Sequence, residues 1–174
     1  MDDPTDRVIA RDAKMAVHMR VVECSDGSKQ DKIVVVHPGA VVVLALTADD
    51  RILFIQNHRV TLGRTLLELP AGTREPPEPY AECAHRELIE ETGYRAETLT
   101  ELCAFQAAPG FSTERMVAYV ARDLTFVGQQ LAPDEDIVVV PIPRQEAFER
   151  LRDGGLEDGK TLAVLGSFFA KNPL

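Results

Sequence analysis

The sequence predicts an α/β domain in which helices pack on a mixed sheet, with an antiparallel β-hairpin extension at its N-terminal side. Three observations carry this expectation. Residues 40–46 form an almost wholly apolar run, short enough for a central strand buried on both faces. Residues 80–92 are rich in helix formers and are followed by Gly93, the residue suited to the position just past a helix end. Strand-like and helix-like segments alternate unevenly, which favours a mixed sheet over a wholly parallel one. The chain has 174 residues, enough for one domain with a real core and too few for two ordinary ones.

The elements follow in order. Residues 1–14, which open acidic and without an apolar stretch, read as a flexible tail rather than a signal or transit peptide. Strand-like runs at 17–23 and 32–37 flank Cys24 to Ser28, where Asp26-Gly27 is a hairpin signal. Residues 15–38 are therefore expected to be N-terminal strands, and 39–174 the main domain. Pro38-Gly39 breaks the pattern before the buried strand at 40–46, and Asp49-Asp50 turns the chain into a strand at 51–56. A short strand at 66–69 ends at Pro70-Ala71-Gly72, and the proline-rich 75–79 is loop. Pro79 suits the first helical position. Strands at 98–106 and 115–121 are separated by the loop Pro109-Gly110-Phe111-Ser112-Thr113-Glu114. A last strand at 137–142 precedes a helix at 145–153 and another running from Asp158, as N-cap, to Ala170.

Composition excludes several classes. A chain 45% hydrophobic and 27% charged is ordinary for a soluble globular protein, and no apolar segment has the length of a membrane span. The net charge of -9 disfavours nonspecific binding to nucleic acid or to an anionic membrane, both of which need Lys and Arg against phosphates. A cytoplasmic protein with neither partner is expected. Cys24, Cys83 and Cys103 are odd in number and widely spaced, so they read as reduced thiols. The four histidines have no metal-ligand spacing.

One stretch stands apart. Glu87, Glu90 and Glu91 crowd three carboxylates into five residues at a helix end, where like charges one turn apart destabilise by about 0.2 to 0.5 kcal/mol per pair. At about 100° per residue, Ala81, Ala84 and Leu88 share an apolar stripe, Glu87 and Glu91 border it, and Glu90 lies on the outer flank. Arg86, the one base in the last two turns, stands a turn from both Glu90 and Glu82 and can pair with either. Hard oxygen ligands without a His-Cys set select Mg²⁺ or Mn²⁺ over zinc. A solvated face is the common fate of such a pair, so the wider spacing must decide.

From Gly72 to Tyr94 the chain reads GTREPPEPYAECAHRELIEETGY: Gly, five residues, Glu, seven residues, then Arg-Glu-aliphatic-any-Glu-Glu-any-Gly and a hydrophobic residue. At every defining position this resembles the signature of the Nudix hydrolases, and the strand, loop and helix around it are the required context. The resemblance implies an α/β/α sandwich and metal-dependent hydrolysis of a nucleoside diphosphate linked to another group. It matches Glu87, Glu90 and Glu91 to metal-binding carboxylates and the carbonyl of Ala71 to a further ligand. Arg86 then orients the cluster, and Glu78 supports it.

The flanks narrow the branch. Glu68-Leu69-Pro70-Ala71-Gly72, the 109–114 loop with Pro109 sixteen residues past Gly93, and Asp158-Gly159-Lys160-Thr161 are similar to the ADP-ribose pyrophosphatase branch. That likeness implies a nucleoside diphosphate sugar as substrate and a homodimer whose N-terminal strands cross to the partner. It matches Arg59 to a substrate-contacting arginine and Pro109 and Glu114 to positions beside the substrate. The plain alternatives are a solvated loop arginine and a strand-edge carboxylate. The catalytic base is expected on a late loop, where Pro133-Asp134-Glu135-Asp136 offers Glu135, with Glu114 as the substitute if that loop is too short. A nucleotide-sensing binding protein with weak or no hydrolysis is the competing function.

Overall fold

The computed structural model describes residues 6–133 and 135–174. Two sheets organise it. Strands β1 (Asp6–Arg11), β2 (Ala16–Glu23) and β3 (Lys29–Val36) form an antiparallel meander. The larger mixed sheet contains β4 (Ala40–Leu46), β5 (Arg51–Arg59), β6 (Arg64–Glu68), β7 (Ala71–Thr73), β8 (Tyr94–Gln106), β9 (Arg115–Phe126) and β10 (Ile137–Pro143). Its path is β10-β5-β4-β9-β8, with β6 beside β5 and β7 beside β4. Strands β4 and β9 run parallel and the other pairs antiparallel. Helices α1 (Tyr80–Thr92), α2 (Arg144–Arg152) and α3 (Gly159–Lys171) complete the chain.

Strand β4 explains the layering. All seven of its residues are buried, and because side chains alternate along a strand they divide between two cores. Val42, Leu44 and Leu46 pack on one face with Phe54, Leu165 and Phe168, the last two from α3. Val41, Val43 and Ala45 pack on the other with Cys83, Ala84 and Leu88 of α1. Each fully buried Val or Leu contributes about 1.5 to 3 kcal/mol, so β4 ties both helical layers to the sheet.

Helix α1 begins after Pro79, which has extended backbone (φ -64°, ψ 150°) and is the N-cap residue rather than the first helical one. It ends at Gly93, in the left-handed region at φ 76°, whose N–H donates to the Ile89 carbonyl. Ala81 is exposed, so the expected apolar stripe shifts to Cys83, Ala84 and Leu88. Asp158 caps α3 as expected, its carboxylate accepting from the Thr161 N–H at 3.0 Å.

Other differences lie at polar strand ends. The expected tail contains β1 from Asp6 to Arg11, paired with β2 and fixed by a bidentate Arg20–Asp6 bond; its first five residues lie outside the described ones. Strands β5 and β6 continue through Asn57, His58 and Arg59 opposite Leu66, Thr65 and Arg64. Ladder hydrogen bonds hold these residues, and no apolar alternation announces them. The three-residue β7 likewise has no pattern to read. The Asp26-Gly27 turn forms as expected, with Gly27 at φ 79°.

The meander meets the body where Val35 bridges Ser112. The Val35 N–H donates to Phe111, and Val35 accepts from the Thr113 N–H at 2.9 Å. Among the described residues no helix is long and apolar enough to cross a membrane.

Candidate active site

The last two turns of α1 face a cleft of about 1110 Å³. Glu87 and Glu91 are 8% and 4% exposed, whereas the Glu90 side chain is 35% exposed. This is the inner pair and outer flank that helical spacing gives. Gly72 on β7 makes room for the inner pair, since a Cβ there would lie 1.8 Å from Cδ of Glu87.

Arg86 organises the cluster. Its Nε and Nη2 donate to the two oxygens of Glu78 at 2.9 and 3.1 Å. Its Nη1 donates to Glu87 Oε1 at 2.7 Å and to Glu90 Oε2 at 2.9 Å, and Nη2 also reaches the Thr73 carbonyl at 3.1 Å. Of the two partners that helical spacing allows, the arginine takes Glu90; Glu82 is exposed. Those hydrogen bonds hold Glu78 below the usual carboxylate range and raise the arginine further.

The inner carboxylates go the other way. Burial raises Glu87 despite its bond to Arg86, with Glu90 and Glu135 adding like charge. Burial likewise pushes Glu91 up to about 8, against the Ala71 N–H that donates to its Oε2 at 2.8 Å and with the charges of Glu87 and Glu135. Burial therefore favours the protonated form of Glu91 over that of an ordinary glutamate, and a bound cation would act in the opposite direction.

Ala71 enters the site through that N–H. Glu135 lies on the loop between β9 and β10 and lines the same cleft, its Oε2 accepting from the Ala132 N–H at 2.9 Å; Asp134 beside it lies outside the described residues. The loop docks on the end of α1. Gln130 N–H donates to the Glu90 carbonyl at 3.0 Å, Gln129 Nε2 to the Glu91 carbonyl at 2.6 Å, and Val127 N–H to the Gly93 carbonyl at 2.8 Å. Sequence reasoning missed Gln129, since a loop amide carries no pattern.

Arg59 also lines the cleft, from the end of β5. It ends a strand rather than lying on a loop, and its Nε donates to Oε1 of the buried Glu68 at 2.7 Å while 37% of the side chain stays exposed. Pro109 and Glu114 do not line this cleft; they sit in the loop stitched to β3.

The arrangement suits a hard divalent cation. Among the described residues no three His, Cys, Asp or Glu side chains converge tightly enough to enclose an ion. Each of Glu87, Glu90 and Glu91 nevertheless keeps a second oxygen outside the bonds just given, and an oxygen-only donor set of mutually repelling carboxylates matches such a cation.

The NUDIX domain profile matches residues 36–164. This chain belongs to the Nudix family. Among its relatives, an ADP-ribose pyrophosphatase of Bacillus subtilis (strain 168) is 35% identical, over 83% of this chain and 80% of the relative. A protein named methanol dehydrogenase activator, from Bacillus methanolicus, is 34% identical over 83% and 79%. A GDP-mannose pyrophosphatase of Pectobacterium atrosepticum is 32% identical over 76% of each chain. The crystal structure of an ADP compounds hydrolase superposes on this Nudix hydrolase with a TM-score of 0.83, covering 98% of this chain and 94% of that one; at 24% identity it speaks for the fold.

Proposed function

We propose that this Nudix hydrolase cleaves the pyrophosphate bond of ADP-ribose or a related nucleoside diphosphate sugar with Mg²⁺, or Mn²⁺ in its place. Water adds to one phosphorus and the bridging P–O bond breaks, so ADP-ribose gives AMP and ribose 5-phosphate. The observation that carries the reading is the cleft itself, with Glu87, Glu90, Glu91 and Glu135 gathered on one side and Arg59 lining the same space. A divalent cation held by Glu87, Glu90 and Glu91 would neutralise the diphosphate and acidify the attacking water.

The chain's own residues do the rest. Glu135 accepts the water proton. Arg59 binds a phosphate oxygen through the guanidinium edge that Glu68 leaves unused. Arg86 orients the carboxylates. Similarity to pyrophosphatases acting on ADP-ribose and on GDP-mannose supports the substrate class. Incubation with ADP-ribose, GDP-mannose and UDP-glucose, with products identified, should give a metal-dependent nucleoside monophosphate from at least one. No turnover of any of them refutes the reading.

The proposal includes a homodimer. In the N-terminal meander Val8 and Ile9 are each 46% exposed and Ile33 is 57% exposed, apolar side chains that a second copy can cover. Pro109 and Glu114, in the loop that residues 111–113 bond to β3, are proposed beside the substrate, a role that calls for the second copy because neither lines the cleft of its own chain. Sedimentation showing a monomer at working concentration would remove that part. Three free cysteines support a cytoplasmic setting.

A second reading is a nucleotide-sensing protein with weak or no hydrolysis; a relative named an activator is in keeping with a regulatory role. Calorimetry separates the two: tight binding of ADP-ribose without turnover supports the sensor, and rapid turnover excludes a purely sensory role.

A further inference from the structure

We infer that the buried carboxylate of Glu68, held in turn by Lys160, is a positioning residue that fixes Arg59 as the phosphate-binding arginine of the cleft. This rests on the substrate class proposed above and assigns work to two residues that the reading leaves unused.

Glu68 ends β6 and is fully buried. A carboxylate taken out of water is strongly unfavourable unless it is paired and hydrogen-bonded. Here it has two cationic partners. Arg59 engages it bidentately, Nε to Oε1 at 2.7 Å and Nη2 to Oε2, and Lys160 Nζ contacts Oε2 as well. Lys160 also pairs with Asp158 Oδ1 at 2.9 Å, so two acids and two bases close a neutral quartet. The Lys160 and Asp158 side chains are 13% and 14% exposed, against 37% for Arg59. Of the four, Arg59 lines the cleft.

The bidentate grip removes rotation of the guanidinium plane and spends Nε and Nη2. Nη1 is left without a partner among the described residues. An ion quartet with three of its members largely buried is seldom worth more to stability than apolar residues of the same volume, so its presence at the cleft wall calls for another role.

The same helix turn also reaches the carboxylate wall. Thr161 Oγ1 accepts from the Leu69 N–H at 2.8 Å, and two residues on, the Ala71 N–H donates to Glu91. The start of α3 thereby registers the arginine and the acidic cluster against one another.

Glu68→Gln keeps the volume and removes the charge. The expected result is a rise in KM of about tenfold, as for a misplaced substrate-binding group, with kcat changed by less than about twofold. Because Glu68 acts through Arg59, the rise should vanish in an Arg59→Ala background. Binding of the α,β-methylene analogue of ADP-ribose should weaken in parallel, and the Arg59 Nε–H resonance should lose its protection from exchange. If Glu68→Gln does not fold, Lys160→Met tests the same relay, with a smaller KM increase expected. An unchanged KM in a folded variant, or the same increase with and without Arg59, overturns the assignment while leaving the substrate class standing. A wild-type protein that neither binds the analogue nor turns over any diphosphate sugar overturns both.

Discussion

Gly72→Ala tests the packing of the metal-facing carboxylates directly. The strand backbone here lies outside the left-handed region, so alanine is conformationally acceptable, and the substitution alone would stabilise by about 0.4 to 1 kcal/mol through the unfolded chain. Space reverses the sign. The new Cβ would stand 1.8 Å from Glu87 Cδ and 2.0 and 2.1 Å from its two oxygens. Reaching ordinary contact at 3.4 Å requires the carboxylate to move by roughly 1.6 Å. That displacement breaks the 2.7 Å bond from Arg86 and strips Glu87 from the row it forms with Glu91. Overpacking of this kind destabilises by about 1 to 3 kcal/mol, whereas misplacing a catalytic group by about 1 Å lowers rates by about a hundredfold. Turnover should therefore fall by two orders of magnitude or more, and the Mg²⁺ concentration for half-maximal rate should rise, in a protein that still folds. Initial rates over a Mg²⁺ titration, beside a thermal melt, give both quantities. Wild-type metal dependence in a folded Gly72→Ala protein would falsify the placement of Glu87.

Glu91 supplies a pH prediction. With its folded pKa raised to about 8, the native state keeps a proton that the unfolded chain has released. Metal-free stability should therefore fall as pH rises from the ordinary glutamate range towards 8, by up to about 1.4 kcal/mol per pH unit, with Glu87 acting in the same direction. Urea unfolding in EDTA at several pH values should show a slope that Glu91→Gln flattens; equal slopes would refute the buried-acid account. Gly93→Ala must hold φ 76° and place a Cβ 2.7 Å from the Gln129 nitrogen, so the loop carrying Glu135 should detach and stability drop by about 1 to 2 kcal/mol. Limited proteolysis would then cut within 127–136, and an uncut loop would contradict its docking on α1. Burial pushes the Cys83 thiol up to about 12, so in the native protein at pH 8 iodoacetamide should spare it and modify the partly exposed Cys24 and Cys103. Mass spectrometry of labelled peptides checks this.

What the sequence revealed followed its periodic signals. The run at 40–46 and the helix at 80–92 were legible because burial on two faces and a terminal glycine are written into consecutive residues. The same helical spacing placed Glu87 and Glu91 at the core edge and Glu90 outside, as the structure has them. Glu68 stands out in sequence as the start of the Glu68-to-Gly72 run, but its pairing does not, since one acid at a strand end looks alike whether it faces solvent or, as here, the start of α3, 92 residues further along. Strand β1 has no pattern of its own to distinguish it from a tail, because its register depends on partners on β2.

Of the three arginines that line the cleft, Arg86 and Arg59 divide the labour according to the N–H donors each has left. Arg86 has five N–H donors, and Glu78, Glu87, Glu90 and Thr73 accept all of them within 3.1 Å. It has nothing left for a substrate, so its work is confined to aiming the carboxylates. Arg59 spends two of its five N–H donors on Glu68, one on Nε and one on Nη2, and keeps the other three. Replacing either with lysine keeps the charge and loses the fork, yet the consequences should differ. Arg86→Lys cannot bridge Glu78, Glu87 and Glu90 together, which disorders the carboxylate row and lowers kcat. Arg59→Lys leaves that row intact and weakens only the grip on the diphosphate, raising KM. The same effect from both substitutions would mean that one arginine had been given the wrong task.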